Sequence, residues 1–210
     1  MSIKRYFATK DNSITNAFKD GLSLRGTGSN MGQSDIIETF SIYGQESSSS
    51  VELQRILIEF DTDNINTDRS SGTIPESGSV NFYLKLCNAR HSDTLPRDYK
   101  LEVLAISSSW QEGIGLDMDN YTDLTYDVVG SNWIKRSGST SWTTQGGDFH
   151  ASPSFTASFD VGNEDMEIDV TSLVEEWLTG SSGGGKDNYG FVVKLPDYLE
   201  ASSSSNPSGS

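Results

Sequence analysis

The chain has 210 residues and a mass of 22.9 kDa, with 30 acidic side chains against 15 basic ones, a formal charge of -15 and a pI near 4.3. This balance repels nucleic-acid phosphates and anionic lipid surfaces, so neither is an expected partner. The single cysteine, Cys87, excludes an intrachain disulfide; no segment approaches the roughly 18 apolar residues of a membrane span.

The N-terminal segment carries basic residues but not the apolar core of about 7 to 15 residues that a secretion signal needs. The chain is therefore expected to be made in the cytoplasm and not exported by the usual secretory route. A first strand is predicted within SDIIETFSIYG (34–44), and a second at RILIEF (55–60). The connection 61–79 is rich in Asp, Asn, Ser, Thr and Gly, and predicts a long polar loop. In VNFYLKLC (80–87), Val80, Phe82, Leu84 and Leu86 alternate with Asn81, Tyr83, Lys85 and Cys87, the period of a strand with one buried face. Cys87 then reads as a half-buried strand thiol. Further strands are predicted at KLEVLAI (100–106), SFTASF (154–159) and YGFVVKL (189–195).

One helix is predicted near residues 170–178, where Val170, Leu173, Val174, Trp177 and Leu178 fall on one stripe. Ser172 and Glu175 have capping-box spacing, and Gly180 is a natural stop. The pattern as a whole is all-β with large loops, expected to form one domain over residues 1–198, followed by a flexible Ser/Gly/Pro linker at 199–210.

Few motifs carry chemistry. GSSGGGKD (180–187) nearly matches a phosphate-binding loop, but a helix precedes it, a strand follows it, and Asp187 stands where a hydroxyl belongs, so it reads as a helix-to-strand connection. Asp117, Asp119 and Asp123 have the spacing of positions 1, 3 and 7 of a calcium loop, yet Thr122 and Val128 replace the turn glycine and the bidentate glutamate. Calcium is the only cofactor the sequence admits, and a solvated acidic loop is the stronger reading. His91 and His150 sit in no motif with a mechanism, and no catalytic residue is assigned. Among the four tryptophans, Trp110 and Trp177 are expected in the core. Trp133 and Trp142, in glycine- and serine-rich surroundings, are expected to be partly exposed; with Tyr121 they are the candidates for contact with a partner or for stacking on a glycan.

In order, RILIEFD (55–61), SVNFYLKLCNA (79–89), LEVLAISSSWQEGIG (101–115), SWTTQGGD (141–148), MEIDVTSLVEEWLTG (166–180) and NYGFVVKL (188–195) resemble the motifs of DNRLRE-type domains. Those are jelly-roll sandwiches of extracellular and cell-surface proteins, some of them carbohydrate-binding modules. The chain also resembles structural proteins of marine tailed bacteriophages, through ATKDN (8–12) and GSNMG to SIYGQ (28–45). The likeness implies a jelly-roll β-sandwich with a corner helix at Asp169 to Trp177, and it implies no catalytic residues. The long insert between Trp110 and Trp133 departs from the short connection of such domains, so a binding surface found there in relatives does not transfer.

The resulting expectation is a non-enzymatic virion structural or attachment protein of a tailed phage, made in the host and released by lysis. Its expected partners are other virion proteins and further copies of itself. The alternative is a polysaccharide-binding module working through exposed loop aromatics. A glycan-cleaving enzyme has no specific support.

Overall fold

The computed structural model describes residues 3–19, 21–90, 96–116 and 129–200. In chain order its strands are β1 (Ala8–Thr15), β2 (Phe40–Tyr43), β3 (Val51–Phe60), β4 (Tyr83–Leu86), β5 (Tyr99–Ile106), β6 (Lys135–Ser137), β7 (Thr140–Ser141), β8 (Phe149–Phe159), β9 (Met166–Asp169) and β10 (Phe191–Lys194). The helices are α1 (Thr62–Ser70), α2 (Thr171–Thr179) and the single-turn α3 (Asp197–Glu200). The chain is all-β in class, its sheets antiparallel and its helices short.

The main sheet has six strands in the order β1-β3-β10-β5-β8, with β2 paired to the first half of β3. Register sets which residues share a face: Val193 lies between Ile56 and Val103, and Val192 between Leu57 and Leu104. Because successive side chains point to opposite faces, each central strand feeds two cores. Ile56, Ile58, Val103, Ala105, Phe191 and Val193 pack against Leu84 and Met166 of the β4–β9 ladder, against Leu173, Val174 and Trp177 of α2, and against Ile65 of α1. On the opposite face Ile14, Leu53, Leu57, Leu104, Ile106 and Val192 meet Trp110, Trp133 and Trp142, which come from loops. Burial on both sides explains why β10 reads FVVK, buried throughout, instead of alternating.

Several expectations are corrected. The connection 61–79 is not all loop: α1 occupies its first half, begun by Asp61, whose carboxylate accepts from the Asp63 amide at 2.8 Å. Only Ile65 of α1 is buried, so its sequence carries no apolar stripe. The helix is tied down instead by Arg69, which grips Glu175 of α2 through two bonds of 3.0 and 2.7 Å. That grip also disposes of the expected capping box. Helix α2 begins one residue before Ser172, Val170 occupies the cap position without a side-chain bond, and Glu175 points to Arg69. The strand expected within 34–44 is confined to 40–43. Cys87 lies just past β4 and is exposed, because the β4–β9 pairing ends at Leu86.

The fold also runs past residue 198. Leu199 O accepts from Ser41 Oγ at 2.7 Å and from Tyr43 Oη, and the Glu200 carboxylate holds Arg55. Residues 199 and 200 thus belong to the folded body, while 201–210 of the expected linker lie outside the described residues.

Candidate functional site

The loops over the second face of the main sheet are built around one side chain, Asn30. It is fully buried, and its amide donates to Glu112 O at 2.5 Å and Ser131 O at 2.8 Å, while its Oδ1 accepts from Gly115 N at 2.8 Å. Gly113, Gly115 and Gly130 close in around it: a Cβ on Gly115 would lie 1.7 Å from Asn30 O, and one on Gly113 or Gly130 within 2.3 Å of its side-chain amide. Asn12 of β1 extends this network, donating to Ser131 O at 2.9 Å and accepting from Met31 N at 2.9 Å. The buried loop backbone thus finds the partners it needs.

The tryptophans of these loops are packed. Trp110 donates from Nε1 to Tyr189 O at 2.8 Å and carries the Lys10 ammonium 4.9 Å from its ring centre. Trp133 and Trp142 are only 6% and 5% exposed, so the expectation of partial exposure is overturned. Two contacts bury them: Gly146 backs onto the Trp133 ring so closely that a Cβ would come within 2.8 Å, and Trp142 Nε1 donates to Asn132 O at 2.8 Å. Arg55 covers Trp133 with its guanidinium carbon 5.0 Å from a ring centre. Neither indole presents a face for stacking. Trp177 lies in the other core, its ring edge-on to Phe191 at 4.7 Å. Tyr121, Asp117, Asp119 and Asp123 fall outside the described residues, and among the described residues no three His, Cys, Asp or Glu side chains gather as a cation would require.

Beyond the apolar part of this face, β3, β5 and β10 contribute charge. The Lys194 ammonium is completely buried, 2.8 Å from Asp197 and 3.4 Å from both Glu102 and Glu200. It also donates to Leu195 O at 2.7 Å. Arg55 joins the cluster through a bidentate pair with Glu200 and a 2.7 Å bond to Gly146 O. The Lys194 hydrogen bond and charge hold the Asp197 carboxyl below its ordinary value. The cluster fastens α3 over the sheet, and each of these groups has a structural partner.

An open cleft of about 750 Å³ lies where the end of β3 meets the α2-to-β10 connection. Its lining includes Asp61, Thr62, Trp177, Asp187, Asn188 and Tyr189. Asn188 is fixed by donation to Phe60 O at 2.7 Å, and Asp187 accepts from Ser181 Oγ at 2.5 Å. The 180–187 segment folds on itself: Gly185 N donates to Gly180 O, Lys186 N to Glu176 O, and the Lys186 ammonium pairs with Glu176. Amides used in this way do not cradle a phosphate, in keeping with the reading of this segment as a connection. Trp177 lines the cleft, and its buried Nε1 has no acceptor among the described residues. Sequence reasoning did not reach this cleft, because Asp61, Thr62 and Asn188 are ordinary turn residues until the fold brings them together.

Neither a family model, nor a curated protein, nor a solved structure matches this chain.

Proposed function

We propose that this chain is a non-enzymatic structural or attachment protein of a tailed phage, displaying a jelly-roll β-sandwich on the particle surface. The observation that carries this reading is where the resembling segments go. RILIEF lies in β3, LEVLAI in β5, MEIDVTSLVEEWLT spans β9 and α2, and FVVKL contains β10; although they are distant in sequence, side chains from all of them share one core. A fold whose loop asparagines and tryptophans are committed to internal contacts suits a protein that works by presenting a surface. The acidic charge keeps such a surface soluble and shields it from nucleic acid.

The test is mass spectrometry and cryo-microscopy of purified particles from the lysate of the host that carries the gene. The expected result is this chain in ordered copies on capsid, neck or tail. Recovery only from the soluble host fraction, never with particles, would defeat the reading.

A second reading takes the cleft as a site for sugar hydroxyls, favoured by a lining that sets the Trp177 and Tyr189 side chains beside polar Asp61, Thr62 and Asp63. This moves glycan binding away from the buried Trp133 and Trp142. Multivalent glycan arrays probed with the parent chain and with a variant of an exposed lining residue, Asp63→Ala, decide it. Binding lost in the variant supports the cleft; no binding, or equal binding by both, rejects it.

A further inference from the structure

The two edges of the main sheet are treated differently. At one edge, β1 carries Lys10 and Asp11, and neighbouring segments bond to it: Asp11 N donates to Glu112 Oε1 at 3.0 Å, Glu38 N to Ser13 Oγ at 2.9 Å, and Met31 N to Asn12 Oδ1 at 2.9 Å. Charge and cover of this kind stop an edge from pairing with another chain.

At the other edge, β8 has β5 as its only strand partner among the described residues. Its sequence, FHASPSFTASF, spans 11 residues without one Asp, Glu, Lys or Arg, in a chain whose net charge is -15. The strand itself therefore sets no like charges against a second copy; the charged groups beside it, Lys100 and Glu102, belong to β5. About Thr156 the strand places two serines, Ser154 and Ser158, symmetrically. Antiparallel pairing across a two-fold axis at that residue sets Ser154 opposite Ser158 and Phe155 opposite Ala157, each pair on one face. Ser154, Thr156 and Ser158 are exposed, while Phe155 and Ala157 are half-buried at the margin of the first core. A paired copy would extend that core by seating a large ring beside a small methyl. Pro153, which has no N–H to offer, ends the symmetric stretch.

We propose that β8 is a homodimerisation edge: two copies pair antiparallel through residues 154–158 and join their six-stranded sheets into one. The inference goes beyond the functional reading and does not depend on it, since purified protein dimerises by this edge whether or not it belongs to a particle.

The experiment combines sedimentation velocity with cross-linking. The parent chain should show a concentration-dependent dimer, and Thr156→Lys, which places two ammonium groups against each other on an exposed position, should be monomeric where the parent is dimeric. In a Cys87→Ser background, Thr156→Cys should form a covalent dimer on mild oxidation, because opposed residues lie about 4.5–5.5 Å apart, within disulfide reach. An unchanged far-ultraviolet circular dichroism spectrum in each variant shows that the fold is intact, since loss of the dimer by itself shifts the melting temperature. Should Thr156→Lys alter the spectrum, the cysteine pair alone decides. A parent that stays monomeric at its highest soluble concentration, or a dimer that neither forms the cross-link nor yields to Thr156→Lys, overturns the proposal.

Discussion

The two faces of the main sheet are closed by different means. One is covered by regular elements, the β4–β9 ladder and α2, whose contribution is apolar: Leu84, Met166, Leu173 and Val174 add contact area and ask little of their neighbours' orientation. The other is covered by loops, and there three buried indoles come with polar and steric detail: Asn30 ties the loops together, Asn132 O accepts from Trp142, and Gly146 backs onto Trp133. The lesson is that a loop can seal a sheet as tightly as a helix, provided that buried amides do what helical hydrogen bonds do elsewhere. The first face should therefore tolerate changes of shape, and the second should not.

The largest expected effects test that contrast directly. Trp133→Ala should cost about 3–5 kcal/mol, read from urea or thermal unfolding, because it opens a cavity that the Asn30 loops cannot collapse to fill. The matched pair is Leu→Met on each face: Leu173→Met beside α2 should cost less than about 1.5 kcal/mol, and Leu57→Met under the loops should cost more. Comparable losses from the two would erase the distinction. Next in size, Asn30→Ala should cost about 2–4 kcal/mol, because it strands the Gly115 amide and takes its donor from Glu112 O, while Ser131 O keeps only Asn12. Gly115→Ala should cost as much by a steric route, its Cβ colliding with Asn30 O.

Smaller effects belong to titration. The Arg69 hydrogen bond holds the Glu175 carboxyl below its usual value, and hydrogen bonds from Tyr6 and Lys4 do the same for Asp68. A depressed carboxylate stabilises the fold above its unfolded pKa and loses that contribution as pH falls. Melting temperature should thus be flat through neutrality and drop below about pH 4. Asp11 works the other way: burial and then the neighbouring Glu112 raise it, so its contribution is present in acid and lost as pH rises through its folded value. At the alkaline end burial, followed by the bond to Asp68, pushes Tyr6 up to about 12 from 10.0, and stability should fall between those values. The fall should be shallower in Tyr6→Phe. Smallest of all, Lys85→Ala should leave the unfolding midpoint within about 0.5 kcal/mol of the parent, since its pair with Glu167 is exposed.

What was legible in the sequence was what repeats. Residues 55–60, 100–106 and 189–195 announce strands because β-branched and aliphatic side chains dominate them, and α2 shows its stripe of Leu173, Val174 and Trp177. Helix α1 was hidden because one buried residue makes no period and its anchor, Glu175, lies 106 residues away. The burial of Trp133 and Trp142 was hidden for a related reason. Glycine- and serine-rich flanks look like surface, but here they are small so that an indole and an asparagine can approach the backbone. The cleft at Asp61 and Asn188 could not be read at all, since it is made of turn residues that meet only after β3 and β10 pair.

Lys194 has a practical consequence. Its amine is sealed from water by α3, so an acylating reagent applied to the native protein should spare it while modifying the exposed Lys85. Labelling at Lys194 therefore becomes a clock for the departure of α3 from the sheet. Followed by peptide mapping over time, it would measure how often α3 lets go while the rest of the molecule stays folded.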